Sequence, residues 1–282
     1  MKLLSWNVQW FRGLDGAVDP ERVIRHAQAL CDFDVLCLQE VAVHFTGLAG
    51  GKTVDQAAAV ARLLPGFEVI FTPAVDYGPG ISGEREQFGN LIATRLPVLQ
   101  VEHHLLPFAA AQGSISVRRA CTAILVRAAR GPLTVLNTHL EYHSAGQRTL
   151  QIERIRELHA ENTALAATRI DRPEGGLYRS RPRTSSAILC GDFNCDAESD
   201  EFRSLLRGGG PSAFYDVHTL VHGDGPRPPT FGCYDKTYVK EPLACDHVLC
   251  TGDIAGLARH IEIDGQVRWS DHQPVHAEWE GL

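Results

Sequence analysis

The chain has 282 residues, of which 44% are hydrophobic and 22% charged, a composition typical of a globular protein with a large core. Its formal net charge of −7 gives no sign of the broad basic surface with which proteins neutralise many nucleic-acid phosphates. No apolar run approaches the roughly 20 residues of a membrane span. Because no long apolar stretch follows Met1, we expect no secretory signal.

Hydrophobic patterning divides the first part of the chain into strands and helices in alternation. A strand over 2–6 precedes a helix that begins at Asp19, the N-cap, with Pro20 in its first turn. The following predicted elements are a strand over 34–38, a helix over about 54–64, a strand over 67–71, a loop over 72–89, and a hairpin of strands 90–94 and 98–102.

The second part of the chain continues this alternation. Its predicted elements are a hairpin of strands 120–127 and 133–137, a helix over about 147–169, a Pro/Gly/Arg-rich connector over 171–185, and strands 187–190, 247–250, 261–263 and 275–279. Alternating strands and helices combined with antiparallel hairpins predict an α/β protein in which two packed sheets carry helices outside. Because polar motifs lie on both sides of the connector, we expect one domain over 1–282.

The eight cysteines contain no Cys-x-x-Cys pair, and most lie in apolar stretches, where a thiol behaves as a small hydrophobe. This pattern is typical of reduced thiols and favours a cytoplasmic protein. Nothing in the sequence indicates an obligate protein partner.

Six short polar clusters follow or precede apolar runs. They are Ser5-Trp6-Asn7, Gln39-Glu40, Asn137-Thr138-His139, Gly191-Asp192-Phe193-Asn194, Asp246-His247 and Ser270-Asp271-His272. Any one of them is compatible with an ordinary strand end or turn, but packing gives no reason for all six. Together they supply the carboxylates, amides and imidazoles that hold a hard divalent metal and activate water.

Each cluster allows a structural and a chemical interpretation. Glu40 follows a buried strand, where a carboxylate needs a partner or a metal, unless it simply reaches solvent. Asn7 is a turn former, an oxygen ligand or an orienting amide. Asp192 and Asn194 point to the same side if the chain is extended, or they form an Asx turn. Asp246 paired with His272 would fix the tautomer of the imidazole.

In this order the clusters resemble the endonuclease/exonuclease/phosphatase superfamily, and the resemblance spans Ser5 to Pro274. It implies a four-layer α/β/β/α sandwich, with two mixed sheets packed face to face and helices outside. It also implies phosphoester hydrolysis with Mg²⁺ or Mn²⁺ at one rim of the sheets.

The resemblance further implies a role for each site residue. Glu40 is the chief metal ligand, with Asn7 and Asp271 close by. Asp192 is the catalytic base or orienter of the attacking water, assisted by Asn194. His272, held by Asp246, contacts the phosphate and stabilises developing charge, and His139 is a second phosphate contact.

The histidine in Asn137-Thr138-His139 resembles the deoxyribonuclease, sphingomyelinase and 5-phosphatase branches rather than the exonuclease III-like apurinic endonucleases. Candidate substrate contacts are Asn90 before a strand, Arg119 in a basic pair, Arg148 and Phe231. Arg148 also suits the start of a helix, and Phe231 also suits a rim loop that packs its own aromatic side chains.

The sequence therefore predicts a divalent-metal-dependent phosphodiester hydrolase, a nuclease or a small-molecule phosphodiesterase, in which activated water attacks in line. Its substrate is a phosphoester, with DNA and RNA among the candidates. Two alternatives stay open: a phosphomonoesterase acting on a metabolite or lipid headgroup, and a non-catalytic binding module of the same fold.

Overall fold

The computed structural model describes residues 1–51, 54–109, 115–168, 176–177 and 180–282. The strands are β1 (Lys2–Asn7), β2 (Val35–Val43), β3 (Glu68–Pro79), β4 (Arg85–Thr94), β5 (Val98–Leu105), β6 (Ala120–Ala128), β7 (Gly131–His139), β8 (Ala187–Asp192), β9 (Phe214–Asp216), β10 (Asp246–Thr251), β11 (Ala258–Ile263) and β12 (Val275–Trp279). The helices are α1 (Pro20–Leu30), α2 (Gln56–Leu63), α3 (Ala145–Ala167), α4 (Asp200–Leu205), α5 (Val217–His222) and α6 (Gly252–Ala255), with a 3₁₀ turn at Gln9–Phe11.

The described strands form two mixed sheets of six strands each. The first sheet has the order β11-β12-β1-β2-β4-β3, and the second has the order β5-β6-β7-β8-β10-β9. The pairs β1–β2 and β7–β8 are parallel, and the other pairings are antiparallel. The predicted mixed sheets are confirmed.

Three apolar clusters define the layers. One cluster lies between the two sheets, a second joins the first sheet to α1 and α2, and a third joins the second sheet to α3 and α4. These layers confirm the predicted α/β/β/α sandwich. Because both faces of each sheet are covered, central strands such as β2 are apolar on both sides.

Alternation along the strands decides which residues face the space between the sheets. In β2, Val35 and Cys37 belong to the inter-sheet cluster, whereas Leu36 and Leu38 pack toward α1 and α2. In β8, Ile188 and Cys190 face inward. Polar residues that continue an inward-facing series past the end of the core therefore meet at one rim.

Most predicted elements are confirmed, but three predictions are wrong. Residues 72–89 are not a loop, because β3 and β4 form a long hairpin there. Strands β4 and β5 do not pair with each other, since they belong to different sheets. Strand β2 does not end before Glu40 but continues to Val43 through a bulge.

The predicted helix over 147–169 begins slightly earlier, where Ser144 caps α3. Its predicted last residue, and residues 171–175 and 178–179 of the predicted connector, lie outside the described residues. No helix in the described ranges is long and apolar enough to cross a membrane. The cytoplasmic location stays a prediction.

Gly191 illustrates how tightly the end of β8 packs. Its φ is +138°, and a Cβ at this position would lie 1.9 Å from the carbonyl oxygen of Thr138. We expect Gly191→Ala to lower the free energy of unfolding by about 3 kcal/mol or more, because it adds backbone strain to a steric overlap.

Gly66→Ala is the matched control for this substitution. Gly66 also has a positive φ of +88°, but a Cβ added there would meet no atom within 4 Å. Gly66→Ala should lower the free energy of unfolding by about 1 kcal/mol, because it adds only the backbone strain of a positive φ. Urea unfolding of both variants measures the difference, and equal losses would contradict the assigned overlap.

Candidate active site

The polar clusters converge on a cavity of about 200 Å³ at one rim of the sandwich. Strand alternation explains this meeting point, because Asn7, His139, Asp192 and Asp246 each continue an inward-facing series of their strand. Of the predicted site residues, those that line the cavity are Glu40, Arg119, His139, Asp192, Asn194, Phe231, Asp271 and His272.

Asp192 is the buried carboxylate at the centre of the site. Its Oδ2 accepts a hydrogen bond from Asn7 Nδ2 at 2.9 Å, and lies 3.4 Å from His139 Nε2 and 3.6 Å from His272 Nε2. Its Oδ1 accepts the backbone N–H of Asn194 at 2.9 Å. The Asx turn is therefore present, and the chain is not extended at Asn194, where φ is +52°. The other carboxylate oxygen faces the cavity, and its predicted role toward water stays a prediction.

His272 and Asp246 form the predicted pair, with 2.8 Å between Nδ1 and Oδ2. Burial lowers the pKa of His272, but Asp246 and Asp192 outweigh burial and hold that pKa well above its usual value. The Phe231 ring stacks on the imidazole at 4.4 Å between centroids. The site thus contains an imidazolium whose Nε2 faces Asp192.

His139 has a different environment. Its Nε2 lies 3.0 Å from Arg119 Nη1 and 3.0 Å from Asn194 Nδ2, both of which are donors. Burial and then Arg119 lower the pKa of His139 to about 3. The contacts require a neutral ring that accepts at Nε2 and carries its proton on Nδ1. Asn194 thus orients His139, a role different from the predicted assistance to the attacking water.

Glu40 reaches the cavity from the bulge in β2. Its φ is +60°, in the left-handed region, and its Oε1 accepts from Asn7 Nδ2 at 3.2 Å. Its side chain is 20% exposed at the rim. Burial, followed by the nearby carboxylate of Asp271, raises the pKa of Glu40 to about 7. Two neighbouring carboxylates that resist simultaneous ionisation are typical of a cation site.

Asn7 presents its amide nitrogen, not its oxygen, to this group. Nδ2 donates to both Glu40 and Asp192, while Oδ1 accepts the backbone N–H of Gln9 at 3.1 Å. Of the predicted roles, the orienting amide therefore agrees with the structure and the oxygen ligand does not.

Gln9 is a site residue that the sequence did not reveal. Its Nε2 donates to Asp271 Oδ2 at 2.8 Å, whereas its buried Oε1 has no hydrogen-bond partner among the residues described. Gln9, Trp10 and Phe11 all have positive φ values, of 44°, 45° and 61°. Three consecutive non-glycine residues in this region are costly, and such strain clusters at functional sites. The segment Gln9–Phe11 contains no glycine or asparagine, the residues from which a left-handed turn is usually predicted.

The donor set at the Glu40 end fits a hard divalent cation. Glu40 and Asp271 supply carboxylate oxygens, and Gln9 supplies the unpartnered amide oxygen, the ligand types that Mg²⁺ and Mn²⁺ prefer. A second group, Asp192, Cys245, Asp246 and His272, has ligand atoms within 4.8 Å of one another. Asp246 already occupies the Nδ1 of His272, so this second group fits acid–base work better.

Two of the four candidate substrate contacts lie elsewhere. Asn90 is buried and donates to the Ala120 carbonyl oxygen at 2.9 Å, so it joins the sheets. Arg148 donates to the carbonyl oxygens of Glu141 and Tyr142, as expected for the alternative structural role at the start of α3. Arg119 and Phe231 do line the cavity. Further lining residues, to which no sequence motif pointed, are Trp10, Tyr142, His143 and Tyr238.

The family model for the endonuclease/exonuclease/phosphatase family matches residues 4–272. The chain belongs to this family. Its members are divalent-metal-dependent phosphoester hydrolases, so the predicted family and enzyme class are confirmed, and the non-catalytic module is set aside. No curated protein matches the sequence.

Several solved structures share the fold at low sequence identity. An endonuclease/exonuclease/phosphatase from Beutenbergia cavernae has a TM-score of 0.71 and 19% identity, over 98% of this chain and 70% of that one. A Bacteroides vulgatus endonuclease/exonuclease/phosphatase has a TM-score of 0.69 and 17% identity, over 99% of this chain and 98% of that one. The Bacteroides thetaiotaomicron mannosyl-6-phosphatase has a TM-score of 0.64 and 17% identity, over 99% of this chain and 98% of that one.

The raised pKa of Glu40 predicts a pH dependence of stability in the metal-free protein. Between its usual 4.5 and about 7, the folded state binds more protons at Glu40 than the unfolded state does. The contribution of Glu40 to the free energy of unfolding therefore falls as pH rises through this window.

Denaturant unfolding across this pH window, in chelator, tests the dependence. Glu40→Gln should remove the decline, whereas Glu84→Gln, at an exposed position, should keep it. An unchanged profile in Glu40→Gln would show that the carboxylate is not destabilised by its surroundings.

Proposed function

We propose that this family member hydrolyses phosphodiesters with Mg²⁺ or Mn²⁺ by in-line attack of water. One observation carries the proposal: Asp192 Oδ2 faces the cavity between Asn7 and the His272 imidazolium, beside the Glu40 and Asp271 carboxylates. A base for water, a cation for the phosphoryl oxygens and a metal-binding carboxylate pair thus share one small space.

Asp192 is the proposed base. Its Oδ2 takes a proton from the attacking water, while Asn7 fixes the carboxylate and Asn194 N–H holds the other oxygen. His272 donates from Nε2 to a phosphoryl oxygen, and Asp246 keeps the ring charged and oriented. Glu40 and Asp271 would hold the metal, which would supply positive charge to the phosphoryl group.

The remaining contacts concern the phosphate itself. Arg119 is the only arginine or lysine among the described residues that line the cavity. Its Nη1 donates to Nε2 of the neutral His139 at 3.0 Å. Trp10, Tyr142 and Tyr238 at the cavity leave an apolar surface for a second organic substituent.

The decisive experiment compares bis-p-nitrophenyl phosphate with p-nitrophenyl phosphate, in Mg²⁺, Mn²⁺ or chelator, beside plasmid and single-stranded DNA and RNA. We expect metal-dependent cleavage of the diester, and we expect Asp192→Asn to lower turnover by about 10²–10⁴-fold, as for loss of a general base. Glu40→Gln should weaken Mg²⁺ binding in calorimetry.

The same assays distinguish the alternatives. Preferential cleavage of the monoester would replace the proposal with a phosphatase activity. Near-normal turnover by Asp192→Asn would remove Asp192 from the role of base. Cleavage of the small diester without cleavage of either nucleic acid would favour a small-molecule phosphodiesterase over a nuclease.

A second prediction concerns the His272–Asp246 pair. Asp246→Asn removes a charge that holds the pKa of His272 high, so that pKa should fall and turnover should drop by about 10²-fold or more. NMR titration of the imidazole and steady-state kinetics measure the two effects. Glu262→Gln, which removes the partner of the more exposed His260, is the control and should leave turnover unchanged.

A further inference from the structure

The carboxylate of Glu40 enters the site only because β2 contains one extra residue. Leu38 pairs with Leu91 and Val41 with Gly89, so that Gln39 and Glu40 together oppose a single residue of β4. Leu36, Leu38 and Val41 all pack toward α1 and α2. Uninterrupted alternation would therefore direct Glu40 toward the helices, because a one-residue shift exchanges the faces of a strand.

A bulge of this kind disrupts the ladder locally and bends the strand. Beside this bulge, the carbonyl oxygens of Leu38 and Leu91 each accept a hydrogen bond of 3.0 Å from the same atom, Nδ2 of Asn137. Asn137 belongs to β7, in the opposite sheet. Its amide nitrogen thus reaches across the inter-sheet space and bonds to both strands where the bulge begins.

Gln39 completes this arrangement. Its Nε2 donates to Asn137 Oδ1 at 2.7 Å and lies 3.3 Å from Ser5 Oγ. Gln39 and Asn137 are both 0% exposed, in a space filled mostly by apolar side chains. Gln39 Oε1 has no hydrogen-bond partner among the described residues, whereas Asn137 is bonded at both its oxygen and its nitrogen. Hydrogen bonds between buried groups favour one packing arrangement, because losing one of them leaves a polar group unpaired.

The same strand that carries Asn137 also carries His139 at the cavity. Two residues later, His139 pairs with Asp192 in the parallel β7–β8 ladder. Asn137 therefore links the strand beside the water-activating carboxylate to the bulge that holds the metal-binding carboxylate.

We propose that Asn137, supported by Gln39, is a positioning residue for Glu40: it stabilises the bulge and fixes it relative to the sheet that carries Asp192. The inference rests on the proposed function in taking Glu40 as a metal ligand. Loss of the amide removes the two hydrogen bonds that tie the bulge to β7, so that the backbone at Glu40 is held less firmly at the cavity.

The test is calorimetric titration with Mg²⁺ alone, on Asn137→Leu, a buried apolar replacement of similar size. We expect the affinity to fall about tenfold or more, as for loss of a group that orients a metal ligand. Turnover of bis-p-nitrophenyl phosphate should fall as well and recover at high Mg²⁺, because the defect lies in metal binding.

Thr122→Val is the matched control. Thr122 pairs with Asn137 across the β6–β7 ladder and also bonds to the opposite sheet, through Thr72 Oγ1 at 2.7 Å, but it does not touch the bulge. Thr122→Val should lower the free energy of unfolding yet leave the Mg²⁺ affinity within about twofold of the wild type, since Thr122 orients no metal ligand. If Thr122→Val weakens Mg²⁺ binding as much as Asn137→Leu does, the positioning role is refuted.

Gln39→Met keeps the inference testable if Asn137→Leu does not fold. This variant removes only the support of Asn137, so the same loss of affinity is expected in smaller measure, and wild-type affinity would overturn the inference. Wild-type protein and Glu40→Gln serve as references. If those two bind Mg²⁺ equally, the proposed function has failed at Glu40; if they differ while Asn137→Leu matches the wild type, only the positioning role has failed.

Discussion

The site depends on the separation and register of two sheets that each supply half of it. Asn7 and Glu40 belong to strands of the first sheet, and His139, Asp192 and Asp246 to strands of the second. Catalytic groups must be held to within about 0.5 Å of their working positions. An apolar core alone packs two sheets closely but tolerates small sliding movements, so the polar contacts across the core gain importance.

These contacts form a short row behind the cavity. The amide of Asn137 meets the bulge in β2, Asn90 meets the carbonyl group of Ala120, and Thr122 meets Thr72. Each crosses from one sheet to the other, and each has its partner within hydrogen-bonding distance. Directional bonds of this kind define one register where dispersion forces alone would permit several.

The charges at the rim oppose folding as much as they serve chemistry. Glu40, Asp192, Asp246 and Asp271 lie close together, and only Arg119 and the His272 imidazolium face them among the described residues of the site. Burial, and after it the neighbouring carboxylates, raise the pKa values of Glu40 and Asp271. A divalent cation offsets the negative charge of these carboxylates, so binding and folding stabilise each other.

The sequence indicated the site well because polar residues that end apolar strands are conspicuous. Glu40, Asp192 and His272 were all found in this way. Gln9 was not, because its position follows from a left-handed turn that no glycine announces. Asn90 was misassigned because its side chain points into the partner sheet, and the β3–β4 hairpin was missed because Pro73, Gly78 and Pro79 are typical of loops.

Segments that are more than 260 residues apart meet at this site. Strand β1 pairs with β12, Trp6 donates to the carbonyl oxygen of His272, and the Ser270 hydroxyl donates to that of Asn7. Contacts between such distant positions form slowly, since the loop between them must close first. During synthesis, β1 therefore pairs with β12 only after Trp279 has emerged from the ribosome. A nascent chain that ends just before His272 carries Asn7 and Asp192 but not the imidazole that faces them.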